Sequence, residues 1–144
     1  MHGAVDVNSG NIAFTIQFAT GTLNVQSTRM TIELDTDQDS STGNRVAGPL
    51  GVDYLLDVYA GQAVISRATP ATCSNGGPCY AQVGTSSLTV GTDTMMATVP
   101  LAMLGSASGR MNFRVGTYVF PPTTTPTPST DWMPDINLPP AHVP

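Results

Sequence analysis

Hydrophobic residues alternate with small or polar residues along most of the chain, and this period of two constrains the fold most. One face of the clearest run carries, at every second position, Ile12, Phe14, Ile16 and Phe18. Because successive side chains of a β-strand point to opposite faces, such runs predict half-buried strands. The one helical turn that we expect runs from Pro100 to Gly105, where the glycine ends it. We therefore predict an all-β chain.

The number and spacing of these runs predict the architecture. About eight or nine short strands, separated by turn residues, are typical of an antiparallel β-sandwich of the jelly-roll kind. A length of 144 residues suits one domain with one core. We assign residues 1–120 to this sandwich, and residues 121–144 to an extended tail rich in Pro and Thr. The tail is expected either to pack on its own domain or to reach a neighbouring one.

The charge of the chain limits the classes of partner that it can bind. Ten acidic residues stand against five arginines, with no lysine, and the formal net charge is -5. This balance gives no basic surface for nucleic acid, and no run approaches the ~20 apolar residues of a membrane span. No secretory signal is visible either, so we expect Met1 to precede a mature fragment. Cations are the partner that the charge favours.

Four aspartates mark a candidate metal site. Asp35, Asp37 and Asp39 occupy alternate positions where a predicted strand ends, and Asp53 lies at the start of the next strand. Calcium takes six to eight oxygen ligands in irregular geometry, which suits such a loop. Asp, Ser, Thr and Gly are also ordinary turn formers, so a purely structural loop is the alternative. Repulsion among three close carboxylates favours the calcium interpretation.

The metal loop departs from the EF-hand pattern. Counted from Asp35, the sixth position is Ser40 instead of Gly, and the twelfth is Val46 instead of Glu. Magnesium prefers few protein ligands, and zinc prefers nitrogen and sulfur ligands that the loop lacks. We therefore expect Ca²⁺ in a loop of another type.

Two cysteines bear on the redox environment in which the protein works. Cys73 and Cys79 enclose a short segment of turn residues, and a disulfide between them is the favoured interpretation. Metal binding by the two thiols is the alternative, but they cannot complete a tetrahedral site alone. A disulfide favours an oxidising compartment, so we expect a secreted or cell-surface protein.

Two motifs around the aspartates carry a family resemblance. The segment Ile32-Glu-Leu-Asp35-Thr-Asp37-Gln-Asp39-Ser-Ser-Thr-Gly43 is followed by Gly51-Val-Asp53-Tyr54. This pattern resembles secreted bacterial DOMON-like β-sandwich modules, which are related in fold to family-nine carbohydrate-binding modules. Further similar segments are Val99-Pro-Leu-Ala-Met-Leu-Gly105, Arg110-Met-Asn-Phe113 and Asp131-Trp-Met-Pro-Asp135. The resemblance implies Asp35, Asp37 and Asp53 as ligands, with Asp39 at a position that is often Asn.

The functional expectation is a binding or structural module. Catalysis is disfavoured, because His2 and His142 both stand at chain ends and cannot provide a well-held base. We expect a non-catalytic, calcium-stabilised module in extracellular structure, assembly or adhesion, such as a fibre or surface-layer subunit whose partners are copies of itself. The alternative, implied by the resemblance, is a carbohydrate-binding accessory module of a secreted enzyme. Its candidate polysaccharide contacts are Trp132, Tyr59 and Tyr118.

Overall fold

The computed structural model describes residues 2–44, 50–72, 78–105, 108–120, 129–134 and 138–144. Within these ranges the chain forms eleven β-strands and one short 3-10 helix, Leu101–Leu104. The strands, in chain order, are β1 (His2–Asn8), β2 (Asn11–Gln17), β3 (Thr28–Asp35), β4 (Tyr54–Tyr59), β5 (Gln62–Thr72), β6 (Pro78–Thr85), β7 (Ser87–Val90), β8 (Thr94–Pro100), β9 (Met111–Val119), β10 (Ser129–Met133) and β11 (Ala141–Val143).

These strands form the two layers of an antiparallel β-sandwich, which confirms the predicted fold class. The smaller sheet has the strand order β1-β2-β8-β7. The larger sheet has the order β10-β9-β3-β4-β5-β6, and β11 pairs with a second part of β9. Every pairing among these strands is antiparallel. The residues that alternate in sequence therefore separate into an inner and an outer face of each sheet.

The core lies between the inner faces of the two sheets. Phe14 of the smaller sheet meets Phe113 of the larger one edge to face, with 5.6 Å between ring centroids. Buried aliphatic residues surround this pair on both sheets, and they include Ile12, Ile16, Met30, Ile32, Leu34, Leu56, Ile65, Met95, Val99 and Val115. Burial of this apolar surface is the main stabilising term of the fold.

The expected helical turn is present. The 3-10 helix Leu101–Leu104 buries both of its leucines, and Gly105 ends it in the left-handed conformation at φ 63°. Glycine adopts this conformation without the steric cost that a Cβ atom would add. Within the described ranges, no helix is long and apolar enough to cross a membrane.

The tail joins the larger sheet and adds two strands to those predicted. Its strands β10 and β11 lie end to end along one edge of β9, opposite β3. Val143 is buried in the core, and the ring of Trp132 covers Gly116 on the outer face. The described part of the tail therefore packs on its own sandwich, which is one of the two arrangements that the sequence predicts.

The outer face of the larger sheet carries polar and charged residues along β3 and β9. Residues directly opposite each other on β3 and β9 share this face, and the successive pairs are Asp35–Asn112, Glu33–Arg114, Thr31–Gly116 and Arg29–Tyr118. Arg114 is fully buried there, with its guanidinium group 4.0 Å from the Glu33 carboxylate and 5.8 Å from the Trp132 ring centroid. Trp132 therefore covers a buried charge pair instead of standing open to solvent.

Candidate metal centre

Two of the aspartates come from neighbouring strands of the larger sheet. Asp35 is the last residue of β3, and Asp53 immediately precedes β4, the antiparallel partner of β3. The backbone N–H of Asp53 donates to the carbonyl oxygen of Leu34 at 2.8 Å, which extends the strand pairing by one step. The sheet itself therefore holds these two carboxylates at one place.

Three carboxylates meet at this end of the sheet. One oxygen atom each from Asp35, Asp37 and Asp53 lies within 4.8 Å of the other two. Asp35 is only 1% exposed, whereas Asp53 is half-buried and Asp37 is exposed. The structure thus brings together three of the four aspartates that the sequence singles out, in an arrangement that could hold a metal ion.

The two oxygens of Asp35 have different surroundings. Oδ2 accepts a hydrogen bond from Asn112 Nδ2 at 3.1 Å, whereas Oδ1 is buried and has no hydrogen-bond partner among the described residues. An unsatisfied buried acceptor costs about 1–3 kcal/mol, and more when it is charged. Burial raises the pKa of the Asp35 carboxyl, and the hydrogen bond from Asn112 opposes it. A hydrogen bond that the protonated carboxyl can share with Asp37 raises the pKa further, as do the charges of Asp37 and Asp53.

Local hydrogen bonds orient the other two carboxylates. Oδ2 of Asp53 accepts from both the backbone N–H and the hydroxyl of Thr36, at 2.9 and 3.0 Å. Asp37 accepts from the backbone N–H of Asp39 and from the hydroxyl of Thr42, both at 2.9 Å. These donors fix the direction of each carboxylate, so little rotamer freedom is left to lose when an ion binds.

The fourth predicted ligand, Asp39, is not in the cluster. Its Oδ1 accepts from the backbone N–H of Ser41 at 2.9 Å and from the Ser41 hydroxyl at 2.6 Å. Its backbone oxygen accepts from the backbone N–H of Thr42. Asp39 therefore shapes the turn that follows the first two aspartates, which is the role that short polar side chains commonly have in loops.

Two glycines let the loop fold back against β4. A Cβ atom on Gly51 would lie 2.6 Å from the backbone oxygen of Asp39, and one on Gly43 would lie 2.7 Å from that of Val52. Gly43 also has a φ of 60°, where a side chain is strained. Both glycines belong to the two motifs around the aspartates. These motifs therefore supply the glycines that let the loop backbone approach β4, as well as the carboxylates.

Two further contacts hold the loop, and sequence analysis missed both. Asn44 Nδ2 donates to the hydroxyl of Tyr80 on β6, and Gln38 Nε2 lies 3.1 Å from His142 Nδ1 on β11. His142 stands near a chain end, and β11 places it opposite Asn112. No local pattern reveals these partners, since strand pairing across the sheet brings them together.

The donor set of the cluster fits a hard cation. All three side chains present oxygen, which Ca²⁺ and Mg²⁺ prefer, and the cluster contains neither sulfur nor nitrogen ligands. The charges of Asp37 and Asp53 repel the ionised Asp35 carboxylate, and a cation bound among the three would offset that repulsion. The cluster could therefore hold a metal ion, but its geometry does not identify which one.

The three candidate polysaccharide contacts all belong to the larger sheet but differ in exposure. Tyr59 is 48% exposed. Tyr118 and Trp132 are half-buried and meet edge to face, with 6.0 Å between their ring centroids. Trp132 therefore helps to dock the tail, and Tyr59 is the most open aromatic side chain of the three.

The predicted disulfide lies partly outside the described residues. Cys79 is on β6 and pairs across to Thr69 on β5, whereas Cys73 is not among the described residues. The bridge between the two cysteines stays a prediction, and so does the oxidising compartment that it would indicate.

Comparison with known proteins adds no family. No protein-family model and no curated protein matches the chain. A chain in the crystal structure of ICOS in complex with ICOS-L and an anti ICOS-L VNAR domain is similar at a TM-score of 0.42 and 8% sequence identity. The alignment covers 97% of this chain and 100% of that one. Similarity at this level carries no inference about ancestry or function.

Proposed function

We propose that Asp35, Asp37 and Asp53 bind one Ca²⁺ ion, which ties the segment between β3 and β4 to the sheet. The burial of Asp35 carries this proposal, because its Oδ1 atom has no hydrogen-bond donor among the described residues and its carboxylate lies in one cluster with two others. A calcium ion would offset both the cost of burying the Asp35 carboxylate and the repulsion among the three carboxylates. Calcium is favoured over magnesium because the loop can add carbonyl oxygens in irregular geometry.

The bound ion acts as a structural clamp in a non-catalytic module. Donors of the loop orient Asp37 and Asp53, Asn112 of β9 orients Asp35, and His142 of β11 interacts with Gln38. The resemblance to secreted bacterial DOMON-like modules supports an extracellular or cell-surface location. Within that setting we propose a role in structure, assembly or adhesion.

Titration calorimetry tests the metal assignment. The intact chain, stripped of metal by a chelator and dialysed, is titrated with CaCl₂, MgCl₂ and ZnCl₂ in separate experiments. We expect one Ca²⁺ per chain, and affinity for Ca²⁺ at least tenfold above that for Mg²⁺. Asp35→Asn should abolish the signal, whereas Asp6→Asn, an exposed aspartate on β1, should leave it unchanged. Equal calcium binding by Asp35→Asn would refute the site.

Assembly has a physical route at the edge of the smaller sheet. Strand β1 is an edge strand with a largely exposed surface, and it contains neither the lysine nor the proline that commonly protects such edges. A strand of a second copy could add to this edge. Sedimentation velocity over a range of concentrations tests this role. Oligomers that Ala4→Lys disrupts would support it, and a monomer at all concentrations would contradict it.

Polysaccharide binding is the second candidate function. It is favoured by the exposed ring of Tyr59, which stands beside a charged pair, Arg29 and Asp57. Sugar-binding surfaces combine an aromatic ring with a few oriented polar groups, and this part of the outer face has both.

A further inference from the structure

A small apolar cavity lies between the two sheets, at one open side of the sandwich. It has a volume of about 120 Å³. Its inner wall is formed by Phe14 and Ile16 of β2 and by Phe113 and Val115 of β9, and all four residues are buried. The side chains of this wall offer no hydrogen-bond donor or acceptor, so water gains little by filling the space.

The cavity opens where the edge of the larger sheet is interrupted. Strand β10 ends at Met133, opposite Val115, and β11 begins at Ala141, opposite Phe113. Met133 and Ala141 both line the cavity and are half-buried. On the other side, exposed Gly3 of edge strand β1 lines it. The mouth therefore lies between β1 and the junction of the two tail strands.

The side chain of Met133 spans this mouth. A Cβ atom placed on Gly3 would collide with the terminal methyl group of Met133, and it would lie 3.2 Å from Cδ1 of Ile16. The methionine therefore reaches from β10 across to β1, where Gly3 leaves room for it. Because methionine is unbranched and has three rotatable bonds, it adapts easily to a changed neighbour. The cavity thus has a cover that can move aside.

We propose that this cavity binds the end of an unbranched alkyl chain. An engineered apolar cavity of about 150 Å³ in another protein binds benzene, so a volume of about 120 Å³ accommodates roughly four to six carbon atoms. An alkyl chain can fill this space and leave a polar head group outside the mouth. The net charge of -5 favours an uncharged head group over a carboxylate.

Alkyl binding here goes beyond the proposed clamp and does not depend on a cation. None of the described residues that line the cavity belongs to the three-aspartate cluster. Phe113 lies on the inner face of β9, whereas its neighbour Asn112, the partner of Asp35, lies on the outer face. Calcium can therefore bind without the alkyl chain, and the alkyl chain can bind without calcium.

NMR titration with n-alkanols tests the proposal on the intact chain. The methionine methyl groups carry ¹³C, and Met133→Leu identifies the Met133 signal by its loss. The ligands are 1-butanol, 1-pentanol, 1-hexanol and hexanoate. We expect a saturable shift of the Met133 signal, with affinity rising roughly fourfold for each added methylene group. Hexanoate should bind at least tenfold more weakly than 1-hexanol.

Two substitutions fill the cavity from different sheets. Ala141 shares the inner face with Phe113, so Ala141→Leu should weaken 1-hexanol binding at least tenfold. Val5 lies directly opposite Phe14, and Val5→Ile adds one methyl group, which should weaken binding roughly fourfold. Ala81→Leu is the matched control, since Ala81 is exposed on β6 and its variant should bind as the wild type does.

Met103 provides an internal control for unspecific association. It is 38% exposed and packs beside Gly84 of β6, so its signal should stay in place. Melting curves show which variants are folded, and Val5→Ile decides if Ala141→Leu is not. The proposal is overturned if no alkanol shifts the Met133 signal, if Met103 shifts equally, or if the folded cavity-filling variants bind 1-hexanol normally.

Discussion

Asn112 on β9 donates a hydrogen bond of 3.1 Å to Oδ2 of Asp35, the residue directly opposite it on β3. The bond satisfies one oxygen of a carboxylate that is almost wholly buried, and the other oxygen has no hydrogen-bond partner among the described residues. Asn112 is therefore the residue that orients the most buried ligand of the proposed clamp. The same residue pairs with His142 of β11, so this strand of the tail lies beside the three-aspartate cluster.

Asn112→Ala tests this orienting role. The substitution leaves a second buried oxygen of Asp35 without a donor, and we expect a loss of about 1–3 kcal/mol in the free energy of unfolding. Urea denaturation in the presence and absence of chelator measures the loss. Gln82→Ala removes an exposed amide from β6 and should change stability little. Equal stability of Asn112→Ala and wild type would show that the hydrogen bond contributes nothing.

Gly51→Ala tests the close approach of the loop to β4. The added Cβ atom would lie 2.6 Å from the backbone oxygen of Asp39 and 2.7 Å from that of Thr42, so the loop must move. We expect a loss of about 1–3 kcal/mol and a weakened calcium response. Gly61→Ala is the contrasting control, since Gly61 has a positive φ and open space around it, whereas Gly51 is crowded and has no positive φ.

The control separates two costs that a glycine substitution can carry. Gly61→Ala should lower stability through backbone strain while leaving the calcium-induced shift in melting temperature intact. If Gly51→Ala keeps a normal calcium response as well, the packing of the loop against Gly51 does not shape the metal site.

Gly116→Val tests how the tail docks. Even a single Cβ atom on Gly116 would lie 2.9 Å from two ring atoms of Trp132, so a valine must displace the ring. Trp132 is the sole tryptophan, and its fluorescence therefore reports on this position alone. We expect the emission to shift to longer wavelength, towards that of the urea-unfolded protein. An unchanged spectrum would contradict the placement of the ring.

Stability should fall in alkaline solution because of a half-buried tyrosine. Burial raises the pKa of Tyr118, and the charge of Glu33 adds to this while Arg29 opposes it. The unfolded state, with an ordinary tyrosine pKa of about 10, then ionises first as the pH rises. The free energy of unfolding should therefore decrease as the pH rises above about 10. Tyr118→Phe should lessen this decrease, which urea denaturation at several pH values measures.

The strands of the sandwich were predictable because their signal is local. Ile12, Phe14 and Ile16 alternate with smaller residues, and each is buried on the inner face of β2. The tail strands β10 and β11 lack such alternation and stand among prolines, so their composition indicated an extended segment without a pairing partner. Pairing with β9 is a long-range contact, which the local sequence does not specify.

The three-aspartate cluster was predictable in part. Asp35 and Asp53 flank two consecutive strands, and an antiparallel pair brings such ends together. Asp39 was harder to assign, because aspartate is both a common ligand and a common turn former, and its contacts with Ser41 show that it has the second role. Asn112 lay within a segment that resembles the family pattern, but its role depends on the register between β3 and β9.

Thermal denaturation with and without calcium tests the central claim most directly. At a hundredfold excess over its dissociation constant, bound Ca²⁺ should stabilise the fold by about 2.7 kcal/mol. For a domain of this size that corresponds to a rise of roughly 5–10 °C in melting temperature, reversed by chelator. We predict this rise for the wild type and for Asp6→Asn, and none for Asp35→Ala combined with Asp37→Ala. An unchanged calcium response in the double variant, or no response in the wild type, would contradict the account.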